Sequence, residues 1–314
     1  MAGRLVGSSK FMGYEMLESM KLSSGGRQDG YAIEETPSGQ TLVVTGPWSS
    51  AAEELLRSGE VDGLVLNYAR GFCESDLSFL NDWPLRRLDV LDRSLQDLEP
   101  IARLGQTLEE LSVQAGPEAR LDLGPLPRLV ALAGEWRLIR STVEMADGLR
   151  SLITHKFDES NLLPLVDKRL LKRLTIKDAN RLETLQGISA LSSLVVIGVH
   201  LARKLSDIAD VAQASTHLGE LRLEYCSLID RLDSLAGLIQ IRHLGVSECR
   251  QIESLAPLGG MAALETLHAW GSTRIVDGDL SPLLRLPSLR EVRMKSRPEY
   301  RPSLEAVKST LSMA

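Results

Sequence analysis

One short phrase constrains this chain more than any other. Leu171-Lys172-Arg173-Leu174-Thr175-Ile176 has the form L-x-x-L-x-L, and its apolar slots return along most of the sequence. Copies begin at Val61, Leu85, Leu108, Leu129, Leu149, Leu171, Leu194, Leu218, Ile241, Leu264 and Leu289. The interval averages about 23 residues, the size of one supersecondary unit in a solenoid. Three slots in eleven copies make 33 positions, of which all but Gly134 and Thr154 are apolar. A chain that is 43% hydrophobic would fill roughly 14 of them by chance. A unit this short cannot bury its own apolar side, so the copies must stack and share one interior.

The remainder of each copy keeps the same rhythm. A ninth position is small, with Ala179, Ala202, Cys226, Cys249 and Ser272, and a twelfth is apolar, with Leu182, Leu205, Ile229, Ile252 and Ile275. Further apolar residues follow at steps of three, as in Leu255, Leu258 and Met261, which suits a short 3-10 turn. These residues resemble the leucine-rich repeat family, and the period together with Leu255-Ala256-Pro257-Leu258 is similar to bacterial internalin-type repeats. The resemblance covers about residues 61–296. It implies an α/β leucine-rich repeat solenoid, a horseshoe with a parallel concave β-sheet and short helical or 3-10 convex segments. Copies four and five are the shortest, carry Gly134 and Thr154 in the sixth slot, and run into Phe157–Leu163 without clear phase, so an irregularity is expected there.

A stack exposes apolar surface at both ends unless caps cover it. Residues 31–35 and 41–45 flank Pro37-Ser38-Gly39 and read as a hairpin. Ser49 or Ser50 then opens a short helix to about Ser58. Residues 1–60 are therefore expected to form an N-terminal extension and cap, with 1–29 partly flexible. Residues 61–296 hold the repeats, and 297–314 supply a C-terminal cap helix opened by Pro302 and Ser303.

A net charge of −6 and a pI near 5.5 argue against a general affinity for nucleic acid or anionic membranes. No window approaches a membrane span, and the first ten residues lack the apolar run of a signal peptide. Cys73, Cys226 and Cys249 have no metal-type spacing, so a reducing, cytoplasmic setting is expected. No phosphate-binding loop, dinucleotide fingerprint or H-E-x-x-H occurs. Gly245-Val246-Ser247-Glu248-Cys249 lacks the closing glycine of a nucleophile elbow and is better read as a repeat strand. The expectation is a protein that is not an enzyme and carries no cofactor.

Candidate binding residues follow from strand alternation. The third, fifth and seventh positions of each copy face outward from the concave sheet, with the second and eighth at its margins. Aromatic residues and histidines fill eight of these 55 positions but only ten of the other 259. Such enrichment is the composition of interface anchors. The expected partner-binding set is Trp136, His155, Lys156, Lys172, Lys177, His200, Arg222, Tyr225, His243, His268 and Trp270. Charge on this face is also segregated. Acidic Asp89, Asp92, Glu109, Glu110 and Glu135 precede basic Arg150, Lys156, Lys172, Arg173 and Lys177. That pattern suits steering of a protein partner more than nucleic acid. Eleven strands would span roughly 50 Å, enough for a standard interface.

The sequence therefore points to a protein-binding scaffold, with an inhibitor or toxin-immunity type role suggested by the resemblance alone. The alternatives are a small-ligand or metal sensor using His243 and His268, about 8 Å apart on neighbouring strands, or a non-catalytic subunit of an enzyme complex.

Overall fold

A computed structural model describes residues 30–313 and shows why the interval is kept so closely. The chain divides at Ala119/Arg120 into two compact units, each a stack of repeats. The expectation for residues 1–29 lies outside the described residues.

The first unit begins with strands β1 (Tyr31–Thr36) and β2 (Gly39–Val44), paired antiparallel. Helix α1 (Ser50–Ser58) follows, its Ser49 hydroxyl accepting the Ala52 amide at 3.2 Å and Gly59 closing it at φ 74°. Glu53 in its first turn and Arg57 in its last complement the helix dipole. Strands β3 (Gly63–Asn67), β4 (Arg87–Leu91) and β5 (Glu110–Gln114) then add in parallel to β2 in sequence order. Just before α1 in the chain, Trp48 is stacked on Phe79 at 4.2 Å and on Trp83 at 5.7 Å. The buried Glu34 carboxylate on β1 is held by the Arg70 guanidinium, which ties the outer hairpin strand to the turn after β3.

The second unit contains β6 (Ala131–Glu135), the one-turn helix α2 (Trp136–Ile139), and strands β7 (Ser151–His155), β8 (Arg173–Lys177), β9 (Val196–His200), β10 (Glu220–Glu224) and β11 (His243–Gly245). After a two-residue strand β12 (Gln251–Ile252) come β13 (Thr266–Ala269), β14 (Arg274–Ile275) and β15 (Glu291–Met294), and helix α3 (Leu304–Met313) is the last element of the described residues. The main sheet is parallel from β6 to β15, while β12 and β14 pair with each other apart from it.

Register in this sheet is slot against slot. Leu152, Leu174, Ile197, Leu221, Leu244, Leu267 and Val292 form one unbroken row across seven strands, each 5% exposed or less. A slip of one residue would turn every such row into solvent, at about 1.5–3 kcal/mol per side chain, so the period is strongly selected. Away from the sheet the chain forms stacked 3-10 turns, such as Ala209–Gln213, Asp233–Leu235 and Ala256–Gly260. Leu255, Leu258 and Met261 are all fully buried there, because a three-residue turn brings every third side chain to one side.

Six strands of the second unit, β7 to β11 and β13, end in one backbone conformation. Lys156, Asp178, Leu201, Tyr225, Glu248 and Gly271, all at the eighth position, are left-handed with φ between 53° and 72°. This residue turns the chain inward and buries the next one: Phe157, Ala179, Ala202, Cys226 and Cys249 are each fully buried. Two departures correct the sequence reading. Ser272 does not fill the inward slot of its copy; it is exposed, and Thr273 is buried instead. The Thr273 hydroxyl accepts the Cys249 amide at 3.0 Å and donates to the Val246 carbonyl at 2.6 Å, bonds that serine one residue earlier does not make.

The second correction concerns Trp136. Its copy replaces the left-handed residue with α2, whose helical backbone swings the eighth-position side chain into the core, where it is 0% exposed. The ring meets Phe157 with centroids 4.7 Å apart, and the indole N–H donates to Glu159 Oε1 at 2.9 Å. Gly134 and Thr154, small residues in register on β6 and β7, spare interior volume in the two copies that take in these rings.

Candidate functional site

The outer face of the second unit's sheet gathers ten of the eleven expected residues; Trp136 is interior and drops out. Seventh-position residues stand in register as Glu135, His155, Lys177, His200 and Glu224 on β6 to β10. Adjacent strands lie about 4.8 Å apart, so these side chains are neighbours.

Glu135 is nearly buried at the β6 end of this row. The Lys156 ammonium lies 2.9 Å from Oε1 and the Arg137 guanidinium 2.8 Å from Oε2. Burial pushes its carboxyl up, but those two cations together bring it below the usual range. At the other end Glu224 accepts from His200 Nδ1 at 3.2 Å, and this bond holds Glu224 low as well. His200 folds back over Gly198, where an added Cβ would fall 3.0 Å from its Nε2. Between them, burial and then the Lys177 charge hold the His155 imidazole below its ordinary value.

Arg222 on β10 is half-exposed and pairs with Glu220 at 2.6 Å. Its stem lies against Gly245, so that glycine gives the arginine room. His243 is exposed on β11, opposite Glu220 and Thr266. His268 sits opposite Gly245, two positions out of step with His243, and its Nε2 lies 3.5 Å from Glu291. Among the described residues no group of three or more His, Cys, Asp or Glu is placed to hold a metal ion. Lys172 is exposed at the margin before β8.

Two aromatic side chains stand out from this face, Tyr225 at 50% exposure and Trp270 at 54%. The Tyr225 amide donates to Ser247 O at 3.0 Å, and the Trp270 amide donates to Ser247 Oγ at 3.2 Å. Both rings therefore rise from a fixed backbone on either side of a serine. The expected binding set left out Glu224, which the structure brings against His200, because nothing in its residue type or spacing sets it apart from other charged residues of the strands.

The cysteines are free. Burial pushes the thiols of Cys226 and Cys249 up, to about 12 and about 11, which leaves them protonated and unreactive. Cys73 is exposed in the first unit, at the edge of an open depression of about 460 Å³ with Tyr68, Glu74 and Arg93. No described helix is long and apolar enough to cross a membrane.

No family model matches the chain, and no curated protein does. Among solved structures, an internalin from Listeria monocytogenes is similar over 87% of this chain and 85% of its own, with a TM-score of 0.59 at 16% identity. Internalin C2 of the same species matches 50% of this chain and 68% of its own at 22% identity, with a TM-score of 0.38. A leucine-rich repeat protein of Leptospira interrogans matches 79% and 82% at 14% identity, with a TM-score of 0.37. The first likeness joins the repeat register and the stacked turns in one conclusion: the chain folds as a leucine-rich repeat solenoid.

Proposed function

We propose that this chain is a non-catalytic binding protein whose second unit takes a protein partner on the outer face of its sheet. The observation that carries the reading is the pair Tyr225 and Trp270, two half-exposed aromatic rings whose backbone amides are both anchored on Ser247, beside a row of charged residues. Exposed aromatic anchors on a pre-organised backbone lose little ordering entropy on docking and concentrate binding energy at a few positions. Blocking a partner's surface, as an inhibitor or immunity protein does, requires nothing beyond such a face. A reducing, cytoplasmic setting fits three free cysteines, two of them sealed in the core.

The test is affinity capture from native lysate with the wild type and with a Tyr225→Ala/Trp270→Ala variant. The reading expects a protein retained by the wild type and lost, or weakened about tenfold or more, with the variant. Equal retention by both would move the interface elsewhere.

A further inference from the structure

We propose that the partner protein presents an arginine to this face, its guanidinium stacked on the Trp270 ring and accepted by the Glu248 carboxylate. The inference rests on the sheet-face reading above and names the chemistry that the two exposed rings and their neighbour recognise.

Glu248 is the carboxylate that this part of the sheet leaves unanswered. Around it, Glu220 is paired with Arg222, Glu224 with His200, Glu265 with Arg242 and Glu291 with Arg293. Glu248, partly exposed at the eighth position of its copy, makes no ion pair among the described residues. Its place is nonetheless fixed. Oε2 accepts the Ser272 amide at 2.9 Å, and the carboxylate fills the space over Gly271, where a Cβ would collide with it. Bonds from the Ser272 amide and then its hydroxyl hold the carboxyl below the usual range, and Lys295 acts on it only through space. The amide needs an acceptor, which a neutral side chain would also supply; the charge has no partner within the chain.

Position adds the second half of the argument. Arg222, Gly245 and His268 stand in register across β10, β11 and β13. Three residues on, Tyr225, Glu248 and Gly271 continue that row, with Tyr225 N donating to Ser247 O and Glu248 N to Trp270 O. The carboxylate therefore lies one strand step, about 4.8 Å, from the Tyr225 backbone and over the residue that follows Trp270.

An anchored carboxylate between two half-exposed rings selects a cation. It keeps acceptor sites beyond those that Ser272 occupies. A guanidinium can donate to it in plane while its own face covers an indole; an ammonium brings the charge without the plane. A purely apolar guest would cover the rings and leave the Glu248 charge desolvated without a partner, which is costly. Lys295, exposed just past β15 and in step with Trp270, opposes the incoming cation and so reports on its charge.

The experiment follows binding of the labelled peptide Leu-Ala-Arg-Ala-Leu to the full chain by fluorescence anisotropy. Salt is held at about 150 mM, where general attraction to an acidic protein is screened. Matching peptides carry lysine, or citrulline as the neutral isostere, in place of arginine. Saturable binding of the arginine peptide is expected, with lysine weaker and citrulline weaker by about tenfold. Glu248→Gln keeps an acceptor for the Ser272 amide and removes the charge. It should weaken the arginine peptide about tenfold and the citrulline peptide little, so that the preference disappears. Lys295→Gln should tighten the arginine peptide about twofold. Glu183→Gln, an exposed carboxylate of an earlier copy, should change nothing. Absence of saturable binding, lysine or citrulline bound as tightly as arginine, or a preference unmoved by Glu248→Gln would each overturn the proposal. If a lysate protein lost by Tyr225→Ala/Trp270→Ala were retained in full by Glu248→Gln, the arginine would be refuted and the sheet-face reading would stand.

Discussion

Trp136 and Phe157 pack against each other inside the second unit, their ring centroids 4.7 Å apart and their planes tilted by 55°, although they stand at different positions of successive repeats. The contact exists because α2 turns inward the residue that the next copy, at Lys156, turns outward.

Trp136 is therefore a core residue, and its truncation should act on stability. Trp136→Ala is expected to cost about 3–5 kcal/mol, through the lost ring and the cavity left against Phe157. Trp136→Phe should cost less, since it refills most of the space and gives up one fused ring together with the bond to Glu159. Urea unfolding followed by far-UV circular dichroism reads the difference; an unaltered midpoint for Trp136→Ala would place the ring outside the core.

Thr154 fills an interior slot that is apolar in most copies, and its hydroxyl is fully buried without a hydrogen-bond partner among the described residues. Thr154→Val keeps the shape and removes the desolvated oxygen. The expected outcome is a gain of about 1 kcal/mol in denaturant unfolding. A loss of similar size would show that the hydroxyl is satisfied.

Leu223, at 0% exposure on β10, tests the repeat register itself. Leu223→Asp buries a carboxylate with no cation at hand and should cost several kcal/mol. The neighbouring outward position, Arg222→Asp, should cost far less because that side chain is half in solvent. Equal melting temperatures for the two variants would contradict the alternation.

The cysteines should separate cleanly by reactivity. At pH 8 an aromatic disulfide reagent should label Cys73 within minutes and leave Cys226 and Cys249 untouched, since their thiols are buried and pushed up to about 12 and about 11. Denaturant should release the remaining two. Labelling of more than one thiol in the native protein would mean that the interior slots open.

How much of this was legible beforehand depends on what each residue is asked to satisfy. The interior slots were readable because a shared apolar core admits almost nothing but Leu, Ile and Val, and a single misplaced phase would spoil every row. The eighth position was not, because its direction depends on backbone conformation. Tyr225 and Trp136 have the same place in the phrase, yet Tyr225 is left-handed and exposed while Trp136 is helical and buried. A hint was present in Gly134: a glycine in the sixth slot leaves volume that a large side chain nearby can take. The shift from Ser272 to Thr273 had no comparable signal, since either hydroxyl is small enough for the slot and only the bonds to Cys249 and Val246 choose between them.

The central claim, that a protein partner sits on the outer face of the second unit's sheet, is tested most directly by site-specific photocrosslinking. A photoreactive phenylalanine analogue is placed at Tyr225 on the sheet side, or at exposed Gln213 in the stacked 3-10 turns. Each protein is irradiated in native lysate. The account predicts a discrete covalent adduct from position 225 and none from position 213. An adduct from position 213 alone would place the partner on the turns and contradict the assignment of the sheet face.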